Sequence, residues 1–323
     1  MKGHIRERSP GRWAIILDIN KDGIRKRKWH SFKGGKREAQ AECARLITEM
    51  KDGGYVEHHK RSLNEFLDAW ERDWMATNVN PKTGQRYSEL LRVHVRPHLA
   101  HKRLQSIGAG DLNTLYRQLY ETLAPRTVRH VHRLLHLIFG HATKWGDIKR
   151  NVVALVDSPK VPATEAAVLQ TAEIPQMFTA LRGHAFYPLA VVALGTGMRR
   201  GELCALRWQD VDLECGVINV ERSLEQTRKG LRIKPPKSAK GKRSISLAPA
   251  VVTELRLHWK AQQEQRLALG VGKSPTDALV FGNYDGTPFK PDKLSGQFAR
   301  AMESQDRAAD IVQGIFTGAG IGQ

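Results

Sequence analysis

The residues whose types and spacing suggest chemistry are cations. Leu194 to Trp208 reads LGTGMRRGELCALRW. An apolar helical run breaks at Gly195 and Gly197, presents Met198-Arg199-Arg200, and re-enters a helix through Gly201-Glu202-Leu203. Two glycines ahead of a cation free the backbone to bend, so Arg199 is expected at a helix junction rather than on a solvated face. Glu202 follows three residues later, close enough to fix the guanidinium, whose planar fork suits a phosphate. A second basic run, Lys237-Ser238-Ala239-Lys240-Gly241-Lys242-Arg243, lies between two short strand patterns. Each stretch alone also fits a plainer role: surface arginines on an amphipathic helix pair, and the solvated tip of a basic hairpin. Gly270-Val271-Gly272-Lys273-Ser274 imitates a phosphate loop but is rejected. Position 267, where that motif needs its first glycine, is Leu, and a helix rather than a strand precedes it.

Composition narrows the partner. The 323 residues carry 52 Lys and Arg against 33 Asp and Glu, a formal net charge of +19. Such an excess, spread through every third of the chain, points to a polyanion. The length fits two or three domains. Three cysteines, Cys43, Cys204 and Cys215, have neither CxxC nor Cys/His ligand spacing, which argues against a disulfide framework and a zinc site and fits a reducing, cytoplasmic setting. No apolar run approaches the roughly 20 residues of a membrane span, and the N-terminus lacks a signal-peptide core.

The elements that must position these cations follow from periodicity. Trp13, Ile15, Leu17 and Ile19 alternate as in a half-buried strand, Asn20 to Gly23 is a turn, and Ile24 to Phe32 returns. Ala39, Cys43, Leu46, Ile47 and Met50 then mark one helical face. Residues 1–56 therefore read as a small sheet with one packed helix. Asp52-Gly53-Gly54 reads as a linker. Leu63, Phe66, Leu67 and Trp70 open a helical region, continued by helices from Asn80 to Leu99, Asp111 to Leu123 and Pro125 to Trp145. The last sets Val128, Val131, Leu135, Ile138 and Ala142 on one face and Arg126, Arg129, Arg133 and His136 on another, as a helix against a phosphate backbone requires. Ser158 to Glu165 reads as a second linker. Helices follow at Glu173–Leu181 and Tyr187–Leu194, then Gly216–Glu221, Gly230–Lys234 and Arg243–Leu247 as one short antiparallel sheet, then helices at 249–268 and from Leu294 to Ala301. The expected fold class is mainly α with small β elements (α+β).

Thr196-Gly197-x-Arg199-x-x-Glu202-Leu203-x-x-Leu206-x-Trp208 resembles the first catalytic motif of the tyrosine recombinases, the phage integrase family. Lys237-Ser238-x-x-Gly241-x-Arg243 and the apolar strand after it resemble the second. Pro81-x-Thr83, Pro125-x-Thr127-Val128-Arg129 and Arg150-Asn151 more loosely resemble the family's core-binding domain, and residues 1–56 its arm-type DNA-binding domain. The resemblance implies three domains: an arm-binding sheet and helix at 1–56, a helical core-binding domain at 60–157, and a mostly helical catalytic domain at 165–323. It makes Arg199 a phosphate-clamping arginine, Glu202 its orienting carboxylate, and Lys237 the lysine that protonates the departing 5′-oxygen. Lys240, Lys242 and Arg243 are expected as phosphate contacts. Arg25, Lys26, Arg27 and Lys28 on the sheet, and Lys82, Arg86, Arg126, Arg129 and Arg133 on the helices, are the further expected DNA contacts. Arg25 to Lys28 also fit a solvated edge strand that deters aggregation. No cofactor and no divalent metal is implied. The implied partner is double-stranded DNA at attachment sites, with an intact integrase or a second copy as protein partner.

The resemblance stops near Ala301. The family's His-x-x-Arg pair and its nucleophilic tyrosine are expected downstream, yet no tyrosine follows Tyr284 and no histidine follows His258. The expectation is a frameshifted or truncated representative that binds DNA without cutting it unaided, since neither Arg199 nor Lys237 replaces a nucleophile. The alternative is a DNA-binding protein that occupies sites or modulates an intact integrase.

Overall fold

Alternation of apolar residues builds the first element. In the computed structural model, which describes residues 2–21, 24–51, 56, 59–162, 171–236 and 241–301, β1 (Lys2–Ser9), β2 (Arg12–Lys21) and β3 (Ile24–Lys33) form an antiparallel sheet in that order. Ile15 pairs with Ile5 on one side and His30 on the other. Ile15 and Leu17 pack against Cys43 and Leu46 of α1 (Lys36–Lys51). The helix lies close enough that a Cβ at Gly3 would meet Cys43 Sγ at 2.8 Å. A three-stranded sheet gains independent stability from such a cover.

The chain divides into two compact units, residues 1–79 with 86–162 and residues 80–85 with 163–323. In the first, Ser62 caps α2 (Leu63–Ala69) by accepting from Glu65 N at 3.2 Å, while Ser62 N donates to Glu65 Oε2 at 2.7 Å. The helix continues through a π-helical segment, Trp70–Met75, into α3 (Ala76–Asn78). A second rod runs from α4 (Pro81–Leu90) through π-helical Leu91–Val95 into α5 (Arg96–Leu99). Then come α6 (Ala109–Tyr120) and α7 (Pro125–Lys144), with Pro125 in the first turn where its missing N–H costs nothing. Leu63, Phe66, Leu67, Trp70, Val128, Val131, Leu135 and Ile138 share this core. Two histidines are built into it. Trp70 Nε1 donates to His141 Nδ1 at 2.8 Å, and Tyr116 Oη lies 3.0 Å from His132 Nδ1.

The second unit opens with α8 (Glu173–Leu181), α9 (Tyr187–Thr196) and the short α10 (Arg200–Leu203). Five strands follow: β4 (Val211–Asp212), β5 (Val217–Val220), β6 (Ser223–Thr227), β7 (Gly230–Lys234) and β8 (Arg243–Ser246). They make two sheets, β4-β5-β8 and the hairpin β6-β7, rather than the single sheet expected from sequence. The reason is local: Arg228-Lys229 turns the chain so that Gly230, at φ 128°, pairs with Thr227, and β7 runs back along β6. α11 (Pro249–Ala268) and α12 (Pro291–Ala301) complete a core containing Leu189, Met198, Leu203, Ile218, Leu255 and Phe298. The fold is mostly helical with small antiparallel sheets. No helix among the described residues is long and apolar enough to cross a membrane.

Candidate functional site

Arg199 stands between two helices because Gly197 ends the first. α9 runs through Gly195 to Thr196 and closes at Gly197 in the left-handed conformation, φ 60°. Gly195 therefore does not break the helix as the sequence suggested; a Cβ there would meet Val251 Cγ2 at 2.6 Å, so the glycine lets α9 lie against α11. Gly201 does the same for α10, since its Cβ would meet the Leu224 carbonyl oxygen at 2.7 Å. Met198 and Leu203 are buried on either side and anchor the junction.

Glu202 is 4% exposed, and its carboxylate receives four donors. Arg199 N donates to Oε2 at 3.0 Å and Arg199 Nη1 to Oε1 at 3.1 Å. Arg243 Nη2 donates to Oε2 at 2.8 Å and Nη1 to Oε1 at 3.3 Å. Burial pushes the Glu202 carboxyl up, but the Arg243 hydrogen bonds and the Arg199 N–H outweigh it, and the carboxyl is held below the usual range. The Arg199 side chain stays 66% exposed, so a buried anion holds a guanidinium that still faces solvent. Arg200 turns the other way, donating to Ser295 Oγ at 2.7 Å on α12.

The other expected residues divide. Arg243, expected as a phosphate contact, spends its fork on Glu202; nothing in the spacing of 41 residues signalled that pair. Lys242 Nζ lies 2.8 Å from Glu221. Lys237 and Lys240 lie outside the described residues, as do residues 163–165 of the expected second linker and 52–54 of the first. On the N-terminal sheet, Arg27 pairs across the strands with Asp18 at 3.1 Å, while Lys28 stands opposite Leu17 on the helix-facing side. Arg25 and Lys26 belong to β3, but their side chains lie outside the described residues. Lys82 is exposed on the first turn of α4. Arg126 and Arg133 are exposed on α7 and Arg129 is half-buried between them, with a buried Nε that finds no acceptor among the described residues. His130 on the same helix is pushed down by burial, and then by Arg86, Arg133, Arg126 and Arg129 together. Arg86 of α4 thus joins three α7 arginines in one positive field, a convergence that sequence spacing did not give. Among the described residues, no group of three or more His, Cys, Asp or Glu could hold a metal.

Residues 167–313 match the model of the phage integrase family. An integrase of Streptomyces ambofaciens is 27% identical over 301 residues, covering 90% of this chain and 76% of that protein. A tyrosine recombinase XerC-like protein of Caldanaerobacter subterraneus is 24% identical over 277 residues, covering 80% and 71%. Residues 167–313 thus carry a phage integrase domain. The fold agrees. The Tn1549 transposon integrase, solved with a circular intermediate DNA, superposes with a TM-score of 0.67 at 20% identity, covering 81% of this chain and 88% of that one. A lambda integrase from a tetramer bound to a Holliday junction gives 0.58 at 17% identity, covering 96% and 86%. The integrase match takes in α8 to α12, the elements that carry Arg199, Glu202 and Arg243.

Proposed function

We propose that this 323-residue chain is an integrase-family protein that binds duplex DNA at attachment sites and, by itself, does not break strands. The observation that carries the reading is the solvent-facing Arg199 guanidinium held on buried Glu202. A cation fixed by an anion behind it presents a rigid fork to a phosphate without first losing side-chain freedom. Arg199 binds the non-bridging oxygens and Glu202 orients it. Lys237 stands as the proton donor to the leaving oxygen, a general-acid task. The α7 arginines with Arg86 and Lys82, and Arg25, Lys26, Arg27 and Lys28 of β3, contact the backbone elsewhere. Lys240 and Lys242 extend the contact near Lys237. Arg243 supports Glu202 and touches phosphate only through that support. The helical region 60–157 and the unit from 165 onward each contact duplex DNA, as does 1–56. The work is done where DNA is packed, in the cytoplasm.

Strand cleavage by this family's chemistry needs a nucleophile that attacks phosphorus, and this chain has no tyrosine after Tyr284. Tyr284 is 67% exposed in the Asn283–Gly286 turn, where Gly286 N donates to the Asn283 carbonyl at 2.9 Å. We read it as a surface turn residue ahead of α12 rather than as a nucleophile. The second reading, a protein that occupies sites or modulates an intact integrase, shares the binding step.

The test uses the full chain. Affinity for duplex DNA should fall about 10³-fold or more between 50 and 200 mM salt for some six to ten phosphate contacts. Incubated with supercoiled DNA or a suicide substrate, the chain should leave both intact and form no adduct that survives denaturation. A nucleotide attached to Tyr284 by mass spectrometry would sink the silent reading; salt-independent binding would sink the phosphate reading.

A further inference from the structure

A cleft of about 360 Å³ in the second unit is walled by Arg207, Arg222, Lys234 and Lys242, with Glu221 the one acidic wall residue. Three of its cations are already satisfied. Arg207 grips Asp210 with Nε at 2.9 Å and Nη2 at 2.8 Å. Lys234 donates to buried Glu225, and Lys242 pairs with Glu221. Arg222 is the exception. Among the described residues its nearest carboxylate oxygen, Asp210 Oδ2, stands 4.0 Å away because Arg207 holds both oxygens of that group, and its Nε and Nη2 have no hydrogen-bond partner there. Four cations against three carboxylates leave one positive charge, and it resides on Arg222. An unsatisfied guanidinium fork among cations is costly unless an acceptor from outside completes it.

We infer that this cleft is an anion site for one tetrahedral oxyanion, seated on Arg222 and supplied by a phosphodiester of the DNA backbone. The charge matches: one surplus positive charge takes one singly charged phosphodiester, and a planar fork backed by lysines suits its non-bridging oxygens. The site is built by Arg207, by Glu221 and Arg222 between β5 and β6, by Ile233 to Pro235 at the end of β7 and by Lys242, and it shares no residue with the Arg199–Glu202–Arg243 cluster. The inference rests on the reading that the chain binds duplex DNA.

The test is a salt titration of the full chain on a mixed-sequence 30-base-pair duplex, followed by fluorescence anisotropy. Arg222→Gln should lower affinity roughly tenfold at 100 mM salt and flatten the log–log salt slope by about 0.9, the value of one lost phosphate contact. Glu221→Gln should act in the opposite direction, tightening binding by removing the carboxylate wall, an effect that misfolding cannot imitate. In a parallel melt, inorganic phosphate at fixed ionic strength should raise the Tm of the native chain and not that of Arg222→Gln. If Arg222→Gln binds DNA with the native slope, or Glu221→Gln weakens binding, the phosphodiester assignment is overturned. Loss of the phosphate-induced shift with an unchanged DNA slope would make free oxyanion the occupant, again overturning it. A native chain that binds no DNA but shows the Arg222-dependent phosphate shift would sink the DNA reading and leave the oxyanion site standing.

Discussion

Arg243→Met tests whether the Glu202 cluster is held together as described. The variant removes two hydrogen bonds to a charged, buried acceptor while leaving the two from Arg199. Hydrogen bonds to charged groups contribute about 1.5–3 kcal/mol each, net, to stability. Two facts reduce that figure here. One donor remains on each oxygen of Glu202, and the Arg243 side chain is 30% exposed, so solvent screens part of the pair. The expected cost is about 2 kcal/mol, below the roughly 3–5 kcal/mol of a fully orphaned buried charge. For a unit of this size that is a fall in Tm of about 4–8 °C at pH 7. The pH dependence gives the argument its edge. A carboxyl whose folded value is depressed contributes stability that is fully present above the ordinary Glu value of about 4.3 and lost as pH falls through the folded value. Without Arg243, burial opposes fewer stabilising donors and the folded value rises. The deficit of Arg243→Met should therefore be full at pH 7 and shrink on acidification, where protonated Glu202 no longer needs the partner. Calorimetric melts of both proteins from pH 7 to pH 4 measure it. A variant that melts with the native chain at pH 7, or a deficit that grows on acidification, would refute the account.

Arg199→Ala should melt within about 1 kcal/mol of the native chain, since Arg199 is largely exposed and Glu202 keeps Arg243, yet lower DNA affinity and flatten the salt slope by about one contact; unchanged binding would remove Arg199 from the interface. Gly201→Ala should destabilise by about 1–3 kcal/mol because its methyl meets the Leu224 carbonyl, whereas Gly110→Ala, in a helix with open space around it, should stabilise by about 0.4–1 kcal/mol; equal Tm changes would falsify the close-approach argument. Burial and then Lys144 lower the His141 pKa, and its Nδ1 accepts from Trp70, so its contribution is present above about pH 6.5 and lost as pH falls through the folded value. Tryptophan fluorescence should report that step between pH 7.5 and 5, and His141→Gln should lack it; a step that persists in the variant excludes His141 as its source.

Much of the fold was legible because burial repeats at fixed intervals. Leu63, Phe66, Leu67 and Trp70 are all fully buried, and so are Val128, Val131, Leu135, Ile138 and Ala142 on α7. What periodicity left out was pairing between elements. The strand at Gly230–Lys234 was readable as a strand, but its partner was decided by a two-residue turn at Arg228-Lys229, which any three-strand grouping overlooks. The π-helical segments at Trp70–Met75 and Leu91–Val95 carry no composition signal of their own and appear only when packing fixes the helix phase. At the candidate site the residue types were visible and their destinations were not. Arg199 and Glu202 are three apart and announce each other; Arg243 reaches the same carboxylate from β8, a strand distant in sequence.

That third residue changes what the cluster is. A carboxylate with only Arg199 for company would partly neutralise the cation that we propose faces a phosphate, a poor trade at an exposed site. With Arg243 also on Glu202, the three charges sum to plus one, so the cluster keeps a net attraction for an anion while its carboxylate stays saturated with donors. The placement follows the same logic. The anion is inside, where it needs partners, and one of the two cations is outside, where the phosphate of the proposed function would reach it without dehydrating a buried ion. Each glycine of the motif serves that arrangement: Gly197 turns the chain to aim Arg199 outward, while Gly195 and Gly201 let α9 and α10 lie close against α11 and β6, keeping Glu202 beneath it. The motif is therefore a packing instruction as much as a chemical one, and its glycines should tolerate alanine less well than its exposed arginine does.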